Sequence, residues 1–128
     1  MGFHHLGVAT EDLEATAALY REAFGLEQVH AETLEAVRVA FLDLGDGYVE
    51  LLEPVEPDGP VATFLREQGA GIHHVALETT DVRAAIDRAR AAGVTPIDEE
   101  PRDGAWGHQV AFVHPSDTGG VLLEFVQH

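Results

Sequence analysis

Two histidines and two glutamates stand where their neighbours give no reason for them. His5 lies in the apolar run of residues 3–9 and His74 in that of 72–78. Glu50 interrupts Val49-Glu50-Leu51-Leu52, and Glu124 interrupts Val121-Leu122-Leu123-Glu124-Phe125-Val126. A carboxylate in such a run is costly unless it is paired or metal-bound. Imidazole nitrogen and carboxylate oxygen together suit a divalent ion such as Zn²⁺, Co²⁺, Ni²⁺, Mn²⁺ or Fe²⁺. Four protein ligands on an octahedral ion leave two adjacent positions, which a pair of neighbouring substrate oxygens can fill. Singly, a strand His is more often just hydrogen-bonded, and a strand Glu often sits on a solvated face.

What separates these four residues from that ordinary reading is an internal repeat. His5-Leu6-Gly7-Val8-Ala9-Thr10-Glu11-Asp12-Leu13-Glu14-Ala15 and His74-Val75-Ala76-Leu77-Glu78-Thr79-Thr80-Asp81-Val82-Arg83-Ala84 share His, Thr, Asp and Ala at one constant offset. Symmetry then makes His5 the counterpart of His74 and Glu50 the counterpart of Glu124. Alternation along a strand puts His5 on the face of Gly7 and Ala9, and His74 on the face of Ala76. The bulky residues Leu6, Val8, Val75 and Leu77 take the opposite face, under a helix. Both histidines therefore look toward the roomier side.

The elements that must hold these residues read as the same unit twice. A strand at 3–9 precedes a helix in which Leu13, Ala17, Tyr20 and Phe24 recur at helical spacing, with Gly25 as its stop. Strands at 27–30, 37–42 and 48–52 follow, the last two joined at Asp46-Gly47. The second unit offers a strand at 72–78 and a helix through Val82, Ile86 and Ala89, stopped at Gly93. Its further strands read at 94–97, 109–113 and 121–126. Residues 10–12 and 79–81 supply helix caps. Pro54, Pro57 and Pro60 mark a linker carrying a short helix at 61–68. The expected architecture is α+β: two paired βαβββ modules around a cupped mixed sheet with a metal site. The domain reading is one domain over 1–128, with module one at about 1–53, linker 54–70 and module two 71–128.

The other histidines read differently. His4 and His73 point to the wrong face, as residues at the core edge. His30 and His128 read as surface residues, and His114 before Pro115 as turn chemistry. His108, in a loop with Trp106, could touch substrate.

Composition narrows the class. The chain has 128 residues, 45% of them apolar, and a net charge of −16 from 23 Asp and Glu against seven Lys and Arg. All the basic residues are arginine, and lysine is absent. Such a chain is not expected to bind nucleic acid or an anionic membrane. Dense carboxylates without lysine point to a salt-adapted, halophilic protein. Cysteine is absent, which excludes thiol catalysis, disulfides and thiolate metal sites. No apolar run reaches the roughly 18 residues of a spanning helix, and no signal peptide is read, so a cytoplasmic location is expected.

Several segments carry a family resemblance. They are His5-Leu6-Gly7-Val8-Ala9, Val37-Arg38-Val39-Ala40-Phe41-Leu42, Glu50-Leu51-Leu52-Glu53-Pro54, Phe64-Leu65 and Gly71-Ile72-His73-His74-Val75-Ala76. Asp98-Glu99-Glu100-Pro101-Arg102, Phe112-Val113-His114-Pro115 and Thr118-Gly119-Gly120-Val121-Leu122-Leu123-Glu124 extend them nearly end to end. The chain resembles the vicinal oxygen chelate superfamily and, within it, the methylmalonyl-CoA epimerases. The resemblance implies a divalent metal (Co²⁺, Mn²⁺, Ni²⁺ or Zn²⁺) on His5, Glu50, His74 and Glu124. It also implies an acyl-CoA substrate and a homodimer. The implied reaction epimerises (R)- and (S)-methylmalonyl-CoA through a metal-stabilised enolate, with Glu124 as one proton carrier. Some epimerases carry Gln at the Glu50 position, so this site would be more anionic. Val39 occupies a place held by Glu in some relatives, where Glu35 or a water could substitute. Arg102 could meet a CoA phosphate. A glyoxalase I-like lactoylglutathione lyase is the alternative, and a metal-free binding or resistance protein of the same fold is the second.

Overall fold

The computed structural model describes residues 1–128. The elements run β1 (Gly2–Ala9), α1 (Leu13–Phe24), β2 (Glu27–Leu34), β3 (Val37–Asp43), β4 (Tyr48–Pro54), α2 (Pro60–Gln68), β5 (Gly71–Glu78), α3 (Val82–Ala91), β6 (Arg102–Asp103), β7 (Gln109–Val113) and β8 (Leu123–Gln127). Short 3₁₀ turns lie at Ala105–Gly107 and Pro115–Asp117. The chain forms two compact units, His5–His73 and, with Met1–His4, His74–His128.

In the first unit the strand order is β2-β3-β4-β1, with β1 parallel to β4 and the other neighbours antiparallel. Asp12 opens α1: its carboxylate accepts the Ala15 N–H at 3.0 Å. Gly25 closes it at φ 69°, a left-handed turn that costs glycine little. The helix buries Leu13 and Ala17 against Ala40, Leu42, Val49 and Leu51, with Val8, Tyr20 and Leu26 at the rim. Phe24, the last residue of the expected apolar stripe, instead stays 65% exposed.

The second unit repeats the plan with strand order β5-β8-β7-β6, β5 running parallel to β8. Asp81 caps α3 by accepting the Ala84 N–H at 3.1 Å. Val82, Ala85 and Ile86 pack on Ala111, Val113 and Phe125. The expected strand at 94–97 does not form. Only an isolated bridge joins Pro96 to Val113, and a two-residue strand at Arg102–Asp103 takes the edge. Pro96 has no N–H to donate to a ladder. The expected strand at 121–126 begins two residues later, at Leu123. The fold class is α+β, with mixed sheet and helices.

Candidate active site

In each unit the face opposite the helix carries the polar residues. In the first, Glu50 on β4 is the register partner of Gly7 on β1 and of Phe41 on β3. Ladder partners share a face. His5, two residues before Gly7, shares that face, and its Nε2 lies 3.0 Å from Glu50 Oε1. The His5 ring meets Phe41 edge-on at 5.7 Å. Phe41, 1% exposed, forms a floor that holds the imidazole.

The second unit reproduces this. Glu124 on β8 pairs with Ala76 on β5 and Phe112 on β7. His74 Nε2 lies 3.2 Å from Glu124 Oε1, and its ring meets Phe112 edge-on at 5.4 Å. The small partners, Gly7 and Ala76, leave room beside each carboxylate. Phe41 and Phe112 are neighbours of the two pairs that the sequence did not single out. Only their register opposite the two glutamates marks them.

Burial singles out the same residues. Of 23 acidic side chains, Glu50 and Glu124 alone are buried, each at 6% exposure. His5 and His74 are each 3% exposed. The donor set fits a divalent cation. Adjacent ligands about 2.1 Å from an octahedral ion stand ~3.0 Å apart, against ~3.4 Å around a tetrahedral one. The His5–Glu50 separation, 3.0 Å, matches the octahedral value, and the His74–Glu124 separation, 3.2 Å, lies midway between the two.

Other residues named from sequence fall around these pairs. Val39 is buried on β3, and its register partner on β2 is Glu32. Glu32 lies 2.5 Å from His30 Nε2, and both are part-buried. His30 is thus a partnered residue rather than a plain surface one. Glu35 sits exposed in the β2–β3 turn at φ 55°. Arg102 lies over the Phe112 ring, 5.6 Å from its centre, and its Nε donates to Asp98 Oδ1 at 3.0 Å. Asp98 also accepts the Phe112 N–H at 2.9 Å, tying the arginine to the floor of the second pair. His114 does serve a turn, accepting the Ser116 N–H at 3.1 Å. His128 is exposed, as read from the sequence, and His108 is buried; both also meet His4 ring to ring.

The fold and the repeated pairs define a class. Residues 4–112 match the glyoxalase/bleomycin resistance protein/dioxygenase superfamily, and the chain belongs to it. Its relatives there include several methylmalonyl-CoA epimerases, and the chain is a member of that family. It is 41% identical to the ethylmalonyl-CoA/methylmalonyl-CoA epimerase of Cereibacter sphaeroides, over 97% of this chain and 96% of that one. It is 38% identical to the human mitochondrial methylmalonyl-CoA epimerase, over 97% of this chain and 72% of the relative. A Streptomyces coelicolor methylmalonyl-CoA epimerase variant in complex with 2-nitronate-propionyl-CoA superposes with a TM-score of 0.93 at 40% identity, covering 98% of this chain and 92% of that one.

Proposed function

We propose that the protein interconverts the (R) and (S) forms of methylmalonyl-CoA, with a divalent cation held by His5, Glu50, His74 and Glu124. One observation carries this reading: the only two buried carboxylates occupy equivalent places in the repeat, each beside a buried imidazole. Each of the four side chains offers one ligand atom. When bound, the cation supplies positive charge for the negative charge that develops on the thioester oxygen.

The chain's own residues do the rest. The α-hydrogen of the substrate is acidified by flanking thioester and carboxylate groups. Glu124 takes or returns that proton from one face. Glu32, the register partner of Val39 and 2.5 Å from His30, is the carboxylate assigned here to the other face. Glu35, the other carboxylate considered for that role, lies at an exposed turn. Phe41 and Phe112 hold the imidazoles and keep water from the floor. Arg102, half-exposed above Phe112, is offered to a CoA phosphate. The reading includes a homodimer in the cytoplasm. The 21 acidic residues outside the buried pair (23 less two) would keep the surface hydrated in strong salt.

Solvent-deuterium incorporation at C2 of methylmalonyl-CoA tests the proposal. Exchange should require added divalent metal and stop with a chelator. Absence of metal-dependent exchange would overturn the reading, and turnover of a hemithioacetal instead would favour a lyase.

A further inference from the structure

The second unit gathers a further set of ligand side chains that the reaction above does not use. His4, His108 and His128 each offer one nitrogen, and these nitrogens lie within 4.8 Å of one another. The ring centres are 5.1 Å apart for His4–His108, 5.1 Å for His4–His128 and 4.6 Å for His108–His128. The fold explains the meeting. Gln109 on β7 pairs with Gln127 on β8, so the residues just outside that pair, His108 and His128, face each other. His4 arrives from β1 on the face opposite His5, because successive strand residues alternate.

The burial is graded. His4 is 2% exposed and His108 9%, whereas the His128 side chain is 56% exposed. One side of the group is fixed in the protein and the other is open to solvent, which gives an ion a way in. Glu78 adds a supporting partner: its Oε1 lies 2.5 Å from His128 Nε2. A carboxylate on one ring nitrogen orients an imidazole and makes its other nitrogen, here Nδ1, a better donor. Trp106 packs on His108 with ring centres 5.9 Å apart. Its backbone is held at φ 62°, a conformation that costs a bulky residue energy and that the turn nonetheless keeps.

We propose that His4, His108 and His128 form a second metal site, for a divalent ion that prefers imidazole, such as Zn²⁺ or Cu²⁺. Three neutral nitrogens without a carboxylate ligand favour these ions over Mg²⁺, Ca²⁺ or Mn²⁺. A tetrahedral ion held this way keeps its fourth position for water or a small anion. The site is distinct from the His–Glu pairs in residues and in donor type.

The test is equilibrium dialysis of the tag-free full chain against Zn²⁺, with metal counted by atomic emission. The native protein should bind two ions per chain. H128Q, at a half-exposed position, should bind one and keep its epimerisation rate. H108Q/H128Q should do the same for binding, and E78Q should weaken the second ion about tenfold. H74A should lose the other ion, and X-ray absorption on that variant should show three imidazoles around the one remaining. An ion count, one or two, that is the same in the native protein and in H108Q/H128Q would overturn the proposal. If H74A kept both ions, the reading of the His–Glu pairs would fail instead, while the loss in H128Q would still stand.

Discussion

Replacing Glu124 by Gln separates charge from shape at the centre of the proposed site. The side chain is 8% exposed and stands 3.2 Å from His74 Nε2, with Ala76 and Phe112 as its strand partners. Glutamine has the same size, so packing against Phe112 and the far-UV dichroism should persist. Two quantities should move. Loss of a positioned proton carrier costs about 10²–10⁴ in rate, or roughly 2.7–5.5 kcal/mol of transition-state stabilisation. Loss of a charged ligand should also weaken the ion. At free metal about 100 times Kd, binding to the native state stabilises by about 2.7 kcal/mol. Unfolding entropy of ~2.1 cal/mol/K per residue over 128 residues gives about 4 °C per kcal/mol, hence a metal-dependent rise in Tm of about 10 °C. In E124Q, at the same metal concentration, most of that rise should vanish. Deuterium exchange at C2 and calorimetry with and without chelator supply the two readings. Exchange within tenfold of native at saturating metal, together with an unchanged metal-dependent Tm rise, would refute both roles assigned to Glu124.

Other perturbations have equally definite outcomes. F112A should cost up to about 3 kcal/mol, the low end for aromatics because Phe112 is only part-buried, and F112L less; denaturant titration reads both, and F112L should still bind metal more weakly because His74 loses its edge-on support. E32Q should slow deuterium exchange about 10²-fold while leaving the metal-dependent Tm rise intact, a combination no purely structural role for Glu32 predicts. Asp117 titrates below the ordinary carboxylate range because its side chain accepts hydrogen bonds from Thr95, side chain first and backbone N–H second. A folded-state value below the unfolded one contributes stability above pH about 4 that is lost as the pH falls further. D117N should remove that acid-side dependence, visible as a flatter Tm-against-pH curve below pH 4, and the carboxyl resonance of native Asp117 should show the low midpoint by NMR.

How much of this could be read without coordinates differs from residue to residue. The repeat paired His5 with His74 and Glu50 with Glu124 on sequence alone, and strand alternation gave both histidines their face. Asp12, Gly25 and Asp81 announced the helix ends, because capping is a local matter of a few side-chain and backbone atoms. Phe41 and Phe112 were invisible as supports, since an aromatic in an apolar strand is ordinary until its cross-strand partner is known. The strand read at 94–97 failed for a related reason: its residues suit a strand, but Pro96 has no N–H to donate and the pairing stops at a single bridge to Val113.

Sequence by itself therefore determined the duplicated βαβββ plan, the helix boundaries and the identity of the His and Glu residues that depart from an apolar pattern. Tertiary structure alone decided that Glu50 falls opposite Gly7 and Phe41, that Glu124 falls opposite Ala76 and Phe112, and that His4, His108 and His128 converge. Side-chain period is a property of one strand and survives in the sequence. Register is a relation between strands, settled by which apolar faces are buried together and by the turns that join them, and a shift of one residue would turn every one of these side chains to the other face.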